Sequence, residues 1–300
     1  MNPTLKHFAE RALIRAGAER FTRRGLRESV LVLAYHNVIP HGEARLGDSS
    51  LHLFQHEFAL QLDVLARTHE VIPIGALSEG AVPGDRPRVV ITFDDAYAGA
   101  LTAGVEELRR RGMAATIFVA PALLGSVTWW DFLAKPAGGS VPDQVRQHAL
   151  ETLEGRTERI LDWARSGSAE PMSPSVLPRI GTESELKLAA SMPGITLGSH
   201  SWSHVNLCTL SKPELHAELA RPHEWLRSRF AGVVPWLAYP YGLHNEAVQN
   251  TAARAGYVGA LRIEGGRLPR SSSIPSFEFP RFNVPAGLSI DGFRLRLAGL

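Results

Sequence analysis

The chain is nearly devoid of cysteine. Cys208 is the only one in 300 residues, so it has no intrachain disulfide partner, nothing demands an oxidising compartment, and the thiol reads as a small core residue. Charge imbalance is lacking too. The 32 Lys and Arg against 30 Asp and Glu leave +2, too little for bulk electrostatics to draw in nucleic acid, so a neutral or small ligand is expected instead. No run of about 18 apolar residues exists to span a bilayer, and the opening MNPTLKHFAERALIRAGAERFTRRGLRES lacks the apolar centre of a secretory signal. The expected location is cytoplasmic.

That opening carries seven Lys and Arg, from Lys6 to Arg27, against three Glu, with Leu5, Phe8, Ala12 and Leu13 at roughly helical spacing. A basic helical segment over 1–29 is expected to pack on the rest of the chain. Peripheral contact with an anionic inner-membrane surface is the second option.

What the chain does have is alternation. Short β-rich runs, VLVLAYH (30–36), VVITF (89–93), ATIFV (115–119), GITLG (194–198), PWLAY (235–239), GYVGAL (256–261) and FEFPRFNV (277–284), are separated by helical patterns. Ser211 followed by Glu214 reads as a capping box, and Gly112 and Gly256 as helix ends. Seven strands with crossovers predict a mostly parallel sheet with helices outside, closed as a barrel or open and doubly wound, over a single domain at 30–300. One interval, about 125–190, breaks the rhythm with AKPAGGSVPD and a long helical pattern. It reads as a helical insertion between the third and fourth strands, over the barrel mouth, either a lid or decoration.

Two of the strands end in chemistry. RVVITFDD finishes on Asp94 and Asp95, which either cap the next helix or emerge where the loops of a parallel sheet gather its functional groups. GITLGSHSWSH follows another strand with His200 and His204, which share one face if they lie on a helical turn. Two imidazoles and a carboxylate make a metal set with a position left for water. One aspartate would then hold the cation and the other would take a proton from the attacking water.

Together these residues resemble the polysaccharide deacetylases, carbohydrate esterase family four. TFDD (92–95) is similar to the family's first motif, HSWSH (200–204) to its second and LAYPYG (237–242) to its third. LAYHNVIP and EFALQLDVLARTHEVIPI resemble the exopolysaccharide branch. The resemblance implies a distorted (β/α)7 barrel, Asp94 as general base, and Asp95, His200 and His204 as ligands of Zn²⁺ or another divalent ion such as Co²⁺. It also implies that the Tyr241 backbone N–H, on a turn set by Pro240, helps stabilise an oxyanion. Read without the family, YPYG is a strand-end turn with tyrosines. VTWWDFL resembles the motif lining the substrate groove, with Trp130 and Asp131 as candidates, while a core aromatic pair explains Trp129 and Trp130 equally well.

Two family features are missing. No arginine opens the third motif, and Arg281 in FPRFNV is the candidate substitute; a structural ion pair is the other reading. No histidine follows His244, so the general acid must come from elsewhere: His36 first, then His244, unless each is simply a hydrogen-bonded structural histidine. The expected function is metal-dependent removal of N-acetyl groups from an N-acetylhexosamine-containing polysaccharide or glycolipid precursor. The alternatives are an O-acetyl esterase acting on a glycan and a catalytically weak glycan-binding barrel in a polysaccharide-synthesis assembly.

Overall fold

The computed structural model describes residues 3–17, 26, 29–78, 85–134, 139–168, 176–269 and 276–300. Helix α1 (Pro3–Arg15) precedes β1 (Ser29–Tyr35), and a small ladder of β2 (Asn37–Ile39) and β3 (His52–Phe54) leads into α2 (Gln55–Thr68). The short β4 (Glu70–Val71), β5 (Arg88–Phe93), α3 (Val105–Arg111) and β6 (Ala115–Val119) follow. Four helices, α4 (Trp129–Leu133), α5 (Asp143–Gln147), α6 (Thr157–Trp163) and α7 (Glu183–Ala190), come before β7 (Ile195–Ser199). Then α8 (Lys212–Arg229), β8 (Val233–Ala238), α9 (Glu246–Arg254), β9 (Gly259–Gly265), β10 (Arg267–Pro269), β11 (Phe279–Asn283) and α10 (Ile290–Leu297) complete the order.

All seven expected strands are present, and they close a ring. The parallel pairings run β1–β5–β6–β7–β8–β9–β11 and return from β11 to β1. The ring is uneven, which is its distortion. β1 pairs with β5 from Val30↔Arg88 to Tyr35↔Phe93, but with β11 only at Leu33↔Phe282 and Ala34↔Asn283. Antiparallel β10 takes the lower edge of β1, from Ser29↔Pro269 to Leu31↔Arg267.

The pleat explains why the strands read as continuous apolar runs. Successive side chains point to opposite faces, and both faces are covered. Val30, Val32, Val90, Phe118, Trp236 and Leu261 fill the barrel interior. Leu31, Leu33, Ile91 and Phe93 face outward against Phe58, Leu62, Leu65 and Leu108 of the surrounding helices. Gly198 is required inside the barrel: a Cβ there would lie 2.5 Å from the Phe118 ring of the neighbouring strand.

Local signals set the helix ends. Ser211 and Glu214 form the capping box of α8, and Gly112, at φ 62°, ends α3 in the left-handed region. Helix α1 packs on α10, where Glu10 accepts a hydrogen bond from Ser289 Oγ at 2.6 Å. Phe8 and Leu13 stand outward, 73% and 48% exposed. Among the described residues no helix is long and apolar enough to cross a membrane.

The insertion between β6 and β7 is fastened on two sides. Arg146 of α5 donates to Asp48 Oδ2 at 2.7 Å, and Ser49 N–H donates to the Gly139 carbonyl. On the other side Asn206 donates through its backbone to Glu154 O and through its side chain to Leu150 O. Among the described residues, the insertion is thus hydrogen-bonded to the barrel's loops on both sides.

Candidate active site

The site begins where β5 runs out. RVVITF is buried along its whole length, and the chain then reverses through Asp95 (φ 68°) and Ala96 (φ 59°), leaving both carboxylates at the C-terminal rim. Arg281, fully buried on β11, donates Nη1 to Asp94 Oδ1 and Nη2 to Oδ2, both at 2.7 Å. Its Nε donates to the Arg262 carbonyl, so the guanidinium plane is fixed. A forked, charge-assisted pair of this kind is strong and directional. Burial alone would raise the Asp94 pKa, but the Arg281 charge, with His200 behind it, outweighs burial and holds the carboxyl well below the usual range.

His200 and His204 follow β7, but not on a helical turn. The segment is a loop with Ser201 at φ 63° and His204 at φ 57°, and this reversal, rather than helical periodicity, brings both rings to one side. Ser201 Oγ accepts from the His204 N–H, and Glu218 of α8 accepts from the N–H groups of Trp202 and Ser203 and from the Ser203 hydroxyl. His200 Nδ1 lies 2.7 Å from the Ala238 carbonyl. A carbonyl only accepts, so Nδ1 carries the proton and Nε2 keeps its lone pair for the site. Burial lowers the His200 pKa to about 4, so the ring is neutral near pH 7.

Three donor atoms then face one another. His200 Nε2 and His204 Nε2 are 3.1 Å apart, and Asp95 Oδ1 lies 3.2 Å from His204 Nε2 and 3.6 Å from His200 Nε2. Ligand atoms held about 2.0–2.2 Å from a tetrahedral Zn²⁺ are separated by about 3.3–3.6 Å, so the triangle has the right size with one vertex open. Asp95 Oδ1 is buried without a hydrogen-bond partner, a costly state that a cation would relieve. Backbone strain concentrates here as well. Among the described residues six non-glycine positions have left-handed φ, and five of them, Asp95, Ala96, Ser201, His204 and Tyr241, belong to this site.

Above the floor is a cavity of about 230 Å³ bordered by His36, Trp130, Arg146, Leu150, Tyr241 and Asn283, among others. Trp130 and Tyr241 pack on the His204 ring with centroids 4.9 and 4.6 Å away. Trp129 donates to Tyr241 Oη, and Trp130 to Tyr97 Oη. His36 stands at the end of β1, where burial lowers its pKa against the pull of Asp94 and Asp95.

Residues 81–260 match the family model for polysaccharide deacetylases, well over half of the chain. The chain belongs to the polysaccharide deacetylase family. No curated protein resembles it at a significant level of sequence similarity. Among solved structures it is similar to the Streptococcus pyogenes deacetylase PplD in complex with acetate (15% identity, 89% of this chain and 97% of that one, TM-score 0.61). It is also similar to IcaB from Ammonifex degensii (16% identity, 91% and 96%, TM-score 0.62) and to the BpsB deacetylase domain from Bordetella bronchiseptica (16% identity, 85% and 96%, TM-score 0.52). At these identities the likeness is one of fold. His36 and Arg281 stand outside the matched segment, yet the barrel brings Arg281 onto Asp94 and His36 to the same cavity.

Three of the candidate site residues, the groove candidate Asp131, the acid candidate His244 and the turn residue Pro240, do not border the cavity. Asp131 is fully buried, accepting from Tyr97 Oη at 2.6 Å and Thr128 Oγ1 at 2.9 Å, with His52 Nε2 at 2.8 Å. It supports the helix that carries Trp130. His244 sits behind Tyr239, ring centroids 4.9 Å apart, beside the Gln249 amide. Pro240 is buried in the turn beneath Tyr241. Conversely, Arg146, Leu150 and Asn283 reach the cavity without having been expected there. Arg146 and Leu150 lie in the insertion and Asn283 ends β11; which of their faces meets the cavity is set by tertiary packing and not by the local pattern.

Proposed function

We propose that the protein is a metal-dependent hydrolase that removes N-acetyl groups from an N-acetylhexosamine-containing polysaccharide or glycolipid precursor. The observation that carries this reading is the triangle of Asp95, His200 and His204 donor atoms beside an Asp94 locked by Arg281. The first three would hold a divalent ion such as Zn²⁺ or Co²⁺. Asp94, ionised and oriented by the Arg281 fork, takes the proton of the water that attacks the acetyl carbonyl carbon. A carboxylate this acidic is a weak base, so it needs an already acidified water, and that is the chemistry a bound divalent ion supplies. The Tyr241 N–H, on a left-handed turn, would stabilise the oxyanion. As the C–N bond breaks, the proton that Asp94 took from the water would pass to the departing nitrogen by way of His36, which borders the same cavity.

His36 favours the amide over the ester. An amine leaves only with acid assistance, whereas an alkoxide needs less, and this cavity holds an imidazole in addition to the three expected ligands and the base. The resemblance of LAYHNVIP to exopolysaccharide enzymes supports a glycan substrate. Acetate release from N-acetylglucosamine oligomers should cease on chelation and return with Zn²⁺ or Co²⁺. Asp94→Asn should lower kcat by about 10²–10⁴ while calorimetric Zn²⁺ affinity stays within a few-fold. Turnover in Asp94→Asn equal to that of the parent would sink the mechanism.

A further inference from the structure

Helix α1 is docked the opposite way round from a helix that covers a core. Of its side chains at 6–15, Glu10 alone is buried and Ile14 alone half-buried. Glu10 points inward, accepting from Ser289 Oγ at 2.6 Å where α1 packs on α10. The apolar side chains face away from the protein. Phe8 is 73% and Leu13 48% exposed, and Ala9 and Ala12 are exposed between them on the helix surface. At about 100° per residue these four span an arc of about 140°, and a globular protein ordinarily turns such an arc onto its core.

Charge says what the arc faces. Glu10 is the only acid in Pro3–Arg15, and with it turned inward the borders of the outward arc are cationic. Lys6 stands beside Leu13 at one edge, Arg15 and then Arg11 beside Phe8 at the other, all three exposed. The Lys6 amine is 3.9 Å from Glu10 Oε1, so its charge is partly matched. Among the described residues no carboxylate pairs with Arg11 or Arg15. An apolar arc with cations on both borders is the pattern of a helix lying in the headgroup layer of an anionic membrane. Size points the same way. The helix has 13 residues, so it is about 20 Å long and about 10 Å wide and offers a face of about 200 Å², against about 800 Å² per partner in a stable protein interface. A bilayer sets no such requirement, because lipids rearrange around the side chains that enter it.

We propose that the outward face of α1 seats the protein on an anionic phospholipid bilayer, with Phe8 and Leu13 at the boundary of headgroups and acyl chains and Lys6, Arg11 and Arg15 against the phosphates. The test is co-sedimentation of the full chain with vesicles of equal parts phosphatidylglycerol and phosphatidylcholine, and with vesicles of phosphatidylcholine alone. The parent should bind the anionic vesicles at least tenfold more tightly than the neutral ones. One cation at such a surface raises affinity about fivefold, so Arg11→Gln with Arg15→Gln should weaken anionic binding at least fivefold. Phe8→Ser with Leu13→Ser should do the same, which a purely electrostatic contact would not show. All four side chains are exposed, and near-ultraviolet circular dichroism checks that each double variant keeps the parent's fold. No binding by the parent, equal binding to both vesicles, or either double variant binding within twofold of the parent overturns the proposal. A dimer in sedimentation velocity that Phe8→Ser with Leu13→Ser dissolves also overturns it, since the face would then belong to a second copy of the chain.

Discussion

At the scale of single residues, the decisive contact joins groups 187 positions apart: the fork of Arg281 on Asp94. Both are almost wholly buried, so removing one partner strands a charge in a medium that cannot solvate it. Arg281→Met should therefore lower unfolding stability by roughly 3–5 kcal/mol. Adding Asp94→Asn should restore part of the loss, giving a coupling of about 1–3 kcal/mol in a double-mutant cycle read by urea denaturation. Simple additivity would show that the pair is not what ties β11 to β5. Asp94 was legible from its place after a buried strand. That Arg281 is its partner was only a candidate reading, since nothing local distinguishes an arginine aimed into a barrel from one in an ordinary surface pair.

At the scale of elements, the start of α8 was legible from Ser211 and Glu214 because a cap is a contact between residues three apart. Thr182 and Glu185 form such a box at α7, with Arg179 clasping Glu185 at 2.6 Å. The Arg179 hydrogen bond is the main reason the Glu185 pKa falls from 4.5 to about 2. A depressed carboxyl contributes stability that is complete above pH 4.5 and is lost as pH falls from there through about 2. The pair is partly exposed, so the contribution is below about 1 kcal/mol. Glu185→Gln should be less stable than the parent at pH 7, with the gap in urea midpoint closing between pH 4.5 and 2; a gap unchanged at the acid end contradicts this. The His200–His204 element shows the opposite limit. Spacing predicted a shared face through a helical turn. The rings do converge, but through left-handed backbone at Ser201 and His204 and through Glu218 on a different element, neither of which spacing encodes.

At the scale of the whole molecule, the donor triangle joins the ends of the two strands that flank β6, with Asp95 after β5 and both histidines after β7. A cation bound there and not to the unfolded chain stabilises the fold by mass action, about 2.7 kcal/mol at a hundred times Kd. For a chain of this size, at roughly 2–4 °C per kcal/mol, Zn²⁺ should raise Tm by several degrees. His204→Ala should abolish most of that rise, and an equal rise in the variant would place the binding elsewhere. By itself the sequence determined the seven strands, the helix caps, the two strand-end motifs and the family they resemble, because each is a pattern of burial or turn chemistry within a few consecutive residues. Only the tertiary structure decided that Arg281 clasps Asp94, that Arg146 reaches the cavity, and that Asp131 and His244 lie behind the wall instead of in it. Those outcomes depend on which side chains meet across a closed barrel and its insertion, distances that no periodicity along the chain records.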